Sequence, residues 1–144
     1  MPLRLLIAAC LVLVIPIGSS LAEEGNLRIK PGKYKITQTT QSNYDTKPQV
    51  VTKDSCIQDP VLNPEYIVPD KKNCKVKNLK SDGQKASFDL VCAKPGNQKA
   101  LSGHADYSTT GTGLKFSMDL KGTFRGKPLL VSIYADGRRI GECE

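Results

Sequence analysis

The sequence predicts an all-β domain: an antiparallel meander of seven to eight strands, strongly curved or closed into a small barrel, and stapled by two disulfides. Three observations lead there. Beyond Pro31 the apolar residues recur every second position instead of at the ~3.6-residue helical period. Turn-forming residues punctuate those runs. An even set of cysteines follows an N-terminal export signal. The 144-residue length fits one domain, since most domains run between ~50 and ~200 residues. It excludes the large nucleotide-binding folds and the TIM barrel, which need ~200 residues or more. With 24% charged and 6% aromatic residues, the composition suits a small soluble domain, not a multi-pass membrane protein.

Met1 to Ala22 reads as a secretory signal peptide. A short basic region ends at Arg4, an apolar run extends from Leu5 to Ile17, and Pro16 and Gly18 break it. Ser20-Leu21-Ala22 then places small residues where a signal peptidase reads, so cleavage is expected after Ala22. The run is shorter than the ~20 residues of a spanning helix, and no later segment approaches that length, so the mature form should carry no transmembrane segment. Ile7-Ala8-Ala9-Cys10 lies too early in the run for a lipoprotein cleavage box, so Cys10 should leave with the signal. Removal of the signal takes away Arg4 and no acid, leaving the mature chain one charge below the +7 of the whole sequence.

Residues 23–30 form a polar lead-in, and residues 31–144 the β-domain. Tyr34 and Ile36 alternate with Lys33, Lys35 and Thr37. Ile57 to Pro69 lacks strand periodicity, and Pro60, Pro64 and Pro69 permit at most a single helical turn. Ser81-Asp82-Gly83-Gln84 joins two strands, and Leu101, Ala105 and Tyr107 alternate with Ser102, His104 and Asp106. Gly111-Thr112-Gly113 is the next turn. Leu114, Phe116, Met118, Leu120 and Phe124 then alternate with Lys115, Ser117, Asp119, Lys121 and Arg125, the pattern of a strand with one face in a core and one in water. Leu129, Val131 and Ile133 form the last apolar row, and Asp136-Gly137 reads as a turn before a short final segment. A twisted sheet must cover its apolar face, and curling into a barrel is one way to do so.

Cys56, Cys74, Cys92 and Cys143 allow three disulfide connectivities. A hairpin centred on Asp82-Gly83 sets Cys74 opposite Cys92, where facing Cβ atoms are ~4.5–5.5 Å apart and a bridge is feasible. Cys56 then pairs with Cys143 by elimination. Chain-entropy arguments assign ~3 kcal/mol to the short loop and ~4.5 kcal/mol to the long one.

Pro31-Gly32-Lys33-Tyr34 opening the first long strand, the intervals of the four cysteines, and the Ile140-Gly141-Glu142-Cys143 ending resemble the exported bacterial family known as domain of unknown function 3617. The resemblance spans Ile29 to Glu144. The chain departs from it at Tyr34, where the family usually has Trp, and at Ser42–Pro48, which lacks a Met/Pro-rich tract. The resemblance implies a periplasmic location and a disulfide frame, and no reaction or catalytic residue.

The residues point away from catalysis, cofactors and metals. His104 is the sole histidine, and with Asp106 two positions on it shares a strand face. An acid–base pair is conceivable there, but solvated residues on a polar face are the plainer reading. No serine lies in a Gly-x-Ser-x-Gly elbow. The cysteines lack the close pairing of structural zinc sites, and Gly111-Thr112-Gly113 is followed by no helix of a phosphate loop. Nucleic acid is not expected, since stacking aromatics are sparse.

Two binding surfaces remain. Tyr34, Tyr107, Leu114, Phe116, Met118, Leu120 and Phe124 would line the pocket of a small barrel suited to an apolar ligand. Lys33, Lys35, Lys75, Lys77, Arg138 and Arg139 would offer a basic outer face to an anionic envelope component, although edge lysines also guard against aggregation. The expectation is a non-enzymatic periplasmic carrier with an apolar β-cavity, or an envelope interaction module using the basic face.

Overall fold

Period-two alternation produces strands throughout. The computed structural model describes residues 26–63, 72–93 and 101–144. The signal peptide expected at residues 1–22, the first residues of the expected lead-in, and the Pro64–Pro69 part of the proline-rich stretch lie outside the described residues. Among the described residues the strands are β1 (Leu27–Arg28), β2 (Gly32–Ser42), β3 (Gln49–Ile57), β4 (Val61–Leu62), β5 (Cys74–Ser81), β6 (Lys85–Cys92), β7 (Leu101–Thr109), β8 (Gly113–Phe124) and β9 (Lys127–Gly141).

Seven of them form one antiparallel sheet in the order β3-β2-β9-β8-β7-β6-β5, while β1 and β4 pair separately. The expected unbroken meander holds only from β5 to β9. The β2–β3 hairpin instead attaches to the far side of β9. Nor is the expected strong curl or closed barrel found among the described residues: β3 and β5 stand at opposite edges of an open sheet. Both edges are built for water: β3 is exposed along most of its length, and β5 carries Lys75 and Lys77 with a bulge at Asn78, where φ is 53°.

An open sheet still has to cover its apolar face, and a strap does part of this. Residues 26–30 cross the loop ends: Arg28 N–H donates to the Gly83 carbonyl (2.9 Å) and Lys30 N–H to the Gly111 carbonyl (2.8 Å). The lead-in is thus not wholly polar, since Leu27 and Ile29 are buried. Tyr34, fully buried, shares its hydroxyl between the Lys30 (2.7 Å) and Gly111 (3.2 Å) carbonyls. Its hydroxyl therefore ties strap, sheet and turn together.

The core proper joins Phe88, Leu90, Ala105, Phe116, Met118 and Ala135, one side chain above the next across β6 to β9. Small residues in these rows are requirements of space. A Cβ at Gly103 would overlap the Asp119 carbonyl. Asp136-Gly137 is no turn. It lies inside the 15-residue β9, where the missing Cβ admits Leu114 from one neighbour and Ile36 from the other.

Both disulfides form as the hairpin register requires. Cys74 pairs with Cys92 (Cα–Cα 3.9 Å) as direct cross-strand partners, and Cys56 pairs with Cys143 (Cα–Cα 5.6 Å) across a separation of 87 residues. The second bridge ties β3 to the chain terminus beyond β9. Replacing Cys143 by Ser should lower the melting temperature of the oxidised protein by roughly 10–20 °C, from the ~4.5 kcal/mol of a long loop. Calorimetry checks this, and an unchanged melt would mean that the bridge constrains nothing.

Candidate functional site

The apolar set separates by position. Phe116 and Met118 are buried in the main core with Tyr107 and Leu120 packed against them, and Tyr34 and Leu114 join Ile29 in a second cluster. The Tyr107 and Phe116 rings meet at 4.9 Å, and burial pushes the Tyr107 hydroxyl pKa well up. Phe124 stands 49% exposed at the β8–β9 turn, apart from both clusters. Six of the seven side chains are thus engaged with one another and their core neighbours.

The opposite face carries two depressions. Cross-strand register sets the row Lys80, Ser87, Asp106, Ser117, Tyr134 beside the row Lys85, Ser108, Lys115, Asp136. All of these except Asp136 border an open depression of about 680 Å³, whose lining also includes Ala86, Tyr107 and Phe116. The next row, Lys77, Asp89, His104, Asp119, Ser132, runs beside a second depression of about 510 Å³ that His104, Asp119, Lys121 and Leu130 line. Hydroxyl, ammonium and carboxylate groups share this face, and Tyr134 is its large exposed ring.

His104 is held from two sides. Its Nδ1 lies 2.7 Å from Asp89 Oδ1, and its Nε2 is 3.6 Å from Asp106 Oδ1. The Asp89 hydrogen bond raises the His104 pKa above the ordinary histidine value, with Asp106 adding to it. Asp89 is lowered in turn, chiefly by the Asn78 amide at 2.7 Å and then by His104. Ser132, in the same row, donates to Asp119 at 2.6 Å, so the serine and histidine serve different carboxylates. Such an arrangement orders charge across β5 to β9. Among the described residues no three His, Cys, Asp or Glu side chains form a group suited to a metal ion.

The six basic candidates do not form one patch. Lys33 pairs with Asp54 at 3.8 Å, and Lys35 lies opposite Arg138 between β2 and β9. Lys75 and Lys77 lie at the other edge, on β5. Arg138 and Arg139, expected on a final turn, are inside β9 and point to opposite faces. Arg139 is structural: its Nε donates to the Pro31 carbonyl (2.8 Å), its terminal nitrogen meets Glu142, and it fills the space a Cβ on Gly32 would occupy.

Sequence reasoning paired His104 with Asp106 and missed Asp89, Ser87, Ser117 and Tyr134. The signal was the pairing of β6 with β7, which sets Asp89 opposite His104 and Ser87 opposite Asp106. The sign of the histidine linkage is clear. A raised pKa contributes stability that is fully present below the unfolded value of about 6.5 and is lost as pH rises through the folded value. An NMR titration of the His104 ring should therefore give a pKa above about 6.5, and Asp89→Asn should bring it down towards that value. Identical titrations in the two proteins would remove Asp89 as the cause.

No curated protein and no solved structure matches the chain. The two disulfides accord with an oxidising environment, and among the described residues no helix is long and apolar enough to cross a membrane. One family model, described as Protein of unknown function (DUF3617), matches residues 29–143. An all-β, doubly bridged chain matched over that span belongs to the DUF3617 family.

Proposed function

We propose that this chain is an exported, periplasmic, non-enzymatic binding module that holds an anionic envelope component on its polar face. The observation that carries this reading is the depression of about 680 Å³ bordered by Lys80, Lys85 and Lys115, with the Ser87, Ser108, Ser117 and Tyr134 hydroxyls among them. Ammonium groups supply attraction to phosphate or carboxylate, and hydroxyls supply directional hydrogen bonds. The depression also contains two carboxylates. Asp106 faces His104, and the Asp82 carboxylate accepts from the Gln84 (2.9 Å) and Lys85 (2.7 Å) N–H groups. The Met1–Ala22 signal and the disulfides support export to an oxidising compartment.

The apolar-carrier reading has weaker support, because Tyr34, Leu114, Phe116 and Met118 are spent on packing. The two readings separate in one experiment. Inorganic phosphate and glycerol phosphate are titrated into the oxidised protein and followed by amide NMR. The expected result is saturable shifts at Ser87, Ser108, Ser117 and Tyr134, weakened roughly tenfold, about 1.4 kcal/mol, by Lys85→Glu with Lys115→Glu. Absence of shifts, together with a lipid-sized adduct in native mass spectra that survives both substitutions, would favour the carrier instead.

A further inference from the structure

The sheet has a second surface, apart from the large depression, whose chemistry is of a different kind. The β2–β3 and β8–β9 turns are locked together at one end. Asn43 N–H donates to the Leu130 carbonyl (3.0 Å), Leu130 N–H donates to Asn43 Oδ1 (2.9 Å), and the Asn43 amide nitrogen donates to the Pro128 carbonyl (3.1 Å). The Tyr44 hydroxyl donates to that same carbonyl (2.9 Å). Two hairpins distant in sequence therefore present one fixed tip.

Two large aromatic residues stand out on this tip: Tyr44 (46% exposed) and Phe124 (49%). The Tyr44 and Phe124 rings pack edge to face at 5.9 Å. Arg125 follows at φ 49° and Gly126 at φ 77°, a two-residue turn in which both positions are left-handed. Asn, Asp and Gly are the residues that fit such a turn. An arginine there is held in a disfavoured conformation, and its guanidinium lies over the Phe124 ring at 5.1 Å. Lys47 lies in the β2–β3 turn, and Lys127 opens β9 opposite Phe124. The nearby acid, Asp45, directs its carboxylate back to the Ser42 N–H at 2.8 Å.

We infer that this tip docks on an anionic bilayer surface, with Tyr44 and Phe124 entering the headgroup layer and Arg125, Lys47 and Lys127 meeting lipid phosphates. Aromatic rings favour that depth, and each basic residue near an anionic surface adds attraction. A few side chains are too small a patch for a stable protein interface, which needs about 800 Å² per partner. Shallow insertion plus charge needs no such area.

The test uses the oxidised protein with vesicles of phosphatidylglycerol mixed with phosphatidylethanolamine, and with vesicles of phosphatidylcholine alone. The chain has no tryptophan, so a Phe124→Trp variant reports from the tip itself. Its emission should shift to the blue with the anionic vesicles only, and added salt should reverse the shift. Arg125→Gly suits the left-handed turn and should melt no lower than wild type, yet bind the anionic vesicles several-fold more weakly. Phe124→Ser with Tyr44→Ser should weaken binding by about tenfold or more. Lys85→Gln with Lys115→Gln, both outside the tip, should leave the blue shift of the Phe124→Trp reporter in place. Unshifted emission with both vesicle types would overturn the inference, as would undiminished vesicle binding by Arg125→Gly and the double serine variant. Self-association lost in the serine variant, with no vesicle binding, would reassign the tip to a second copy of the chain.

Discussion

Strand β9 is bonded along most of its length on both sides, to β8 and to β2, and the rest of the fold depends on that double pairing. Without it the β2–β3 hairpin and the β5–β9 meander would be two small sheets, each with an apolar face and too few strands to cover it. The register of β9 also decides which rows exist. Ala135 and Gly137 fall beneath the larger side chains of β2 and β8, while Tyr134, Asp136 and Arg138 turn outward. A slip of one residue would exchange these sets and put two charges into the core.

That division explains why an apolar pocket is a poor description of the inner face. Phe88 and Leu90 are almost fully enclosed without closure of the sheet, packed with Ala105, Phe116, Met118 and Ala135 and flanked by Ile36 of the hairpin. Space is used up by contact between large and small residues, as at Gly137, where Leu114 and Ile36 meet over a missing Cβ. The polar face carries the depression of about 680 Å³, where serines and lysines are too small or too hydrated to fill the hollow.

Much of this was legible in the chain. Period-two alternation revealed the strands, and one Asp-Gly turn located the Cys74–Cys92 pair and, by elimination, the long bridge. The long-range pairing of β2 with β9 was not legible, since nothing local distinguishes a strand that extends a meander from one that returns to an early hairpin. Asp136-Gly137 misled for a related reason: the same dipeptide serves a turn or a close approach, and only the neighbours decide. The Asp89–His104 contact was out of reach because it depends on the register between β6 and β7, which no local pattern in either strand discloses. The Arg125-Gly126 turn was hidden by its arginine, which continued the apparent alternation through the end of the strand.

The topology also has a history in time. A chain made from its N-terminus releases β2 and β3 first, yet β9, the neighbour that completes β2, follows only after β5 to β8. Until then the hairpin has an unfilled side, and Cys56 waits for Cys143, 87 residues on. Neighbouring strands along β5 to β8 can pair in passing, whereas joining β9 to β2 has a long loop to close. Loss of β9 would thus strand the β2–β3 hairpin as well, so segments far apart in sequence fail together.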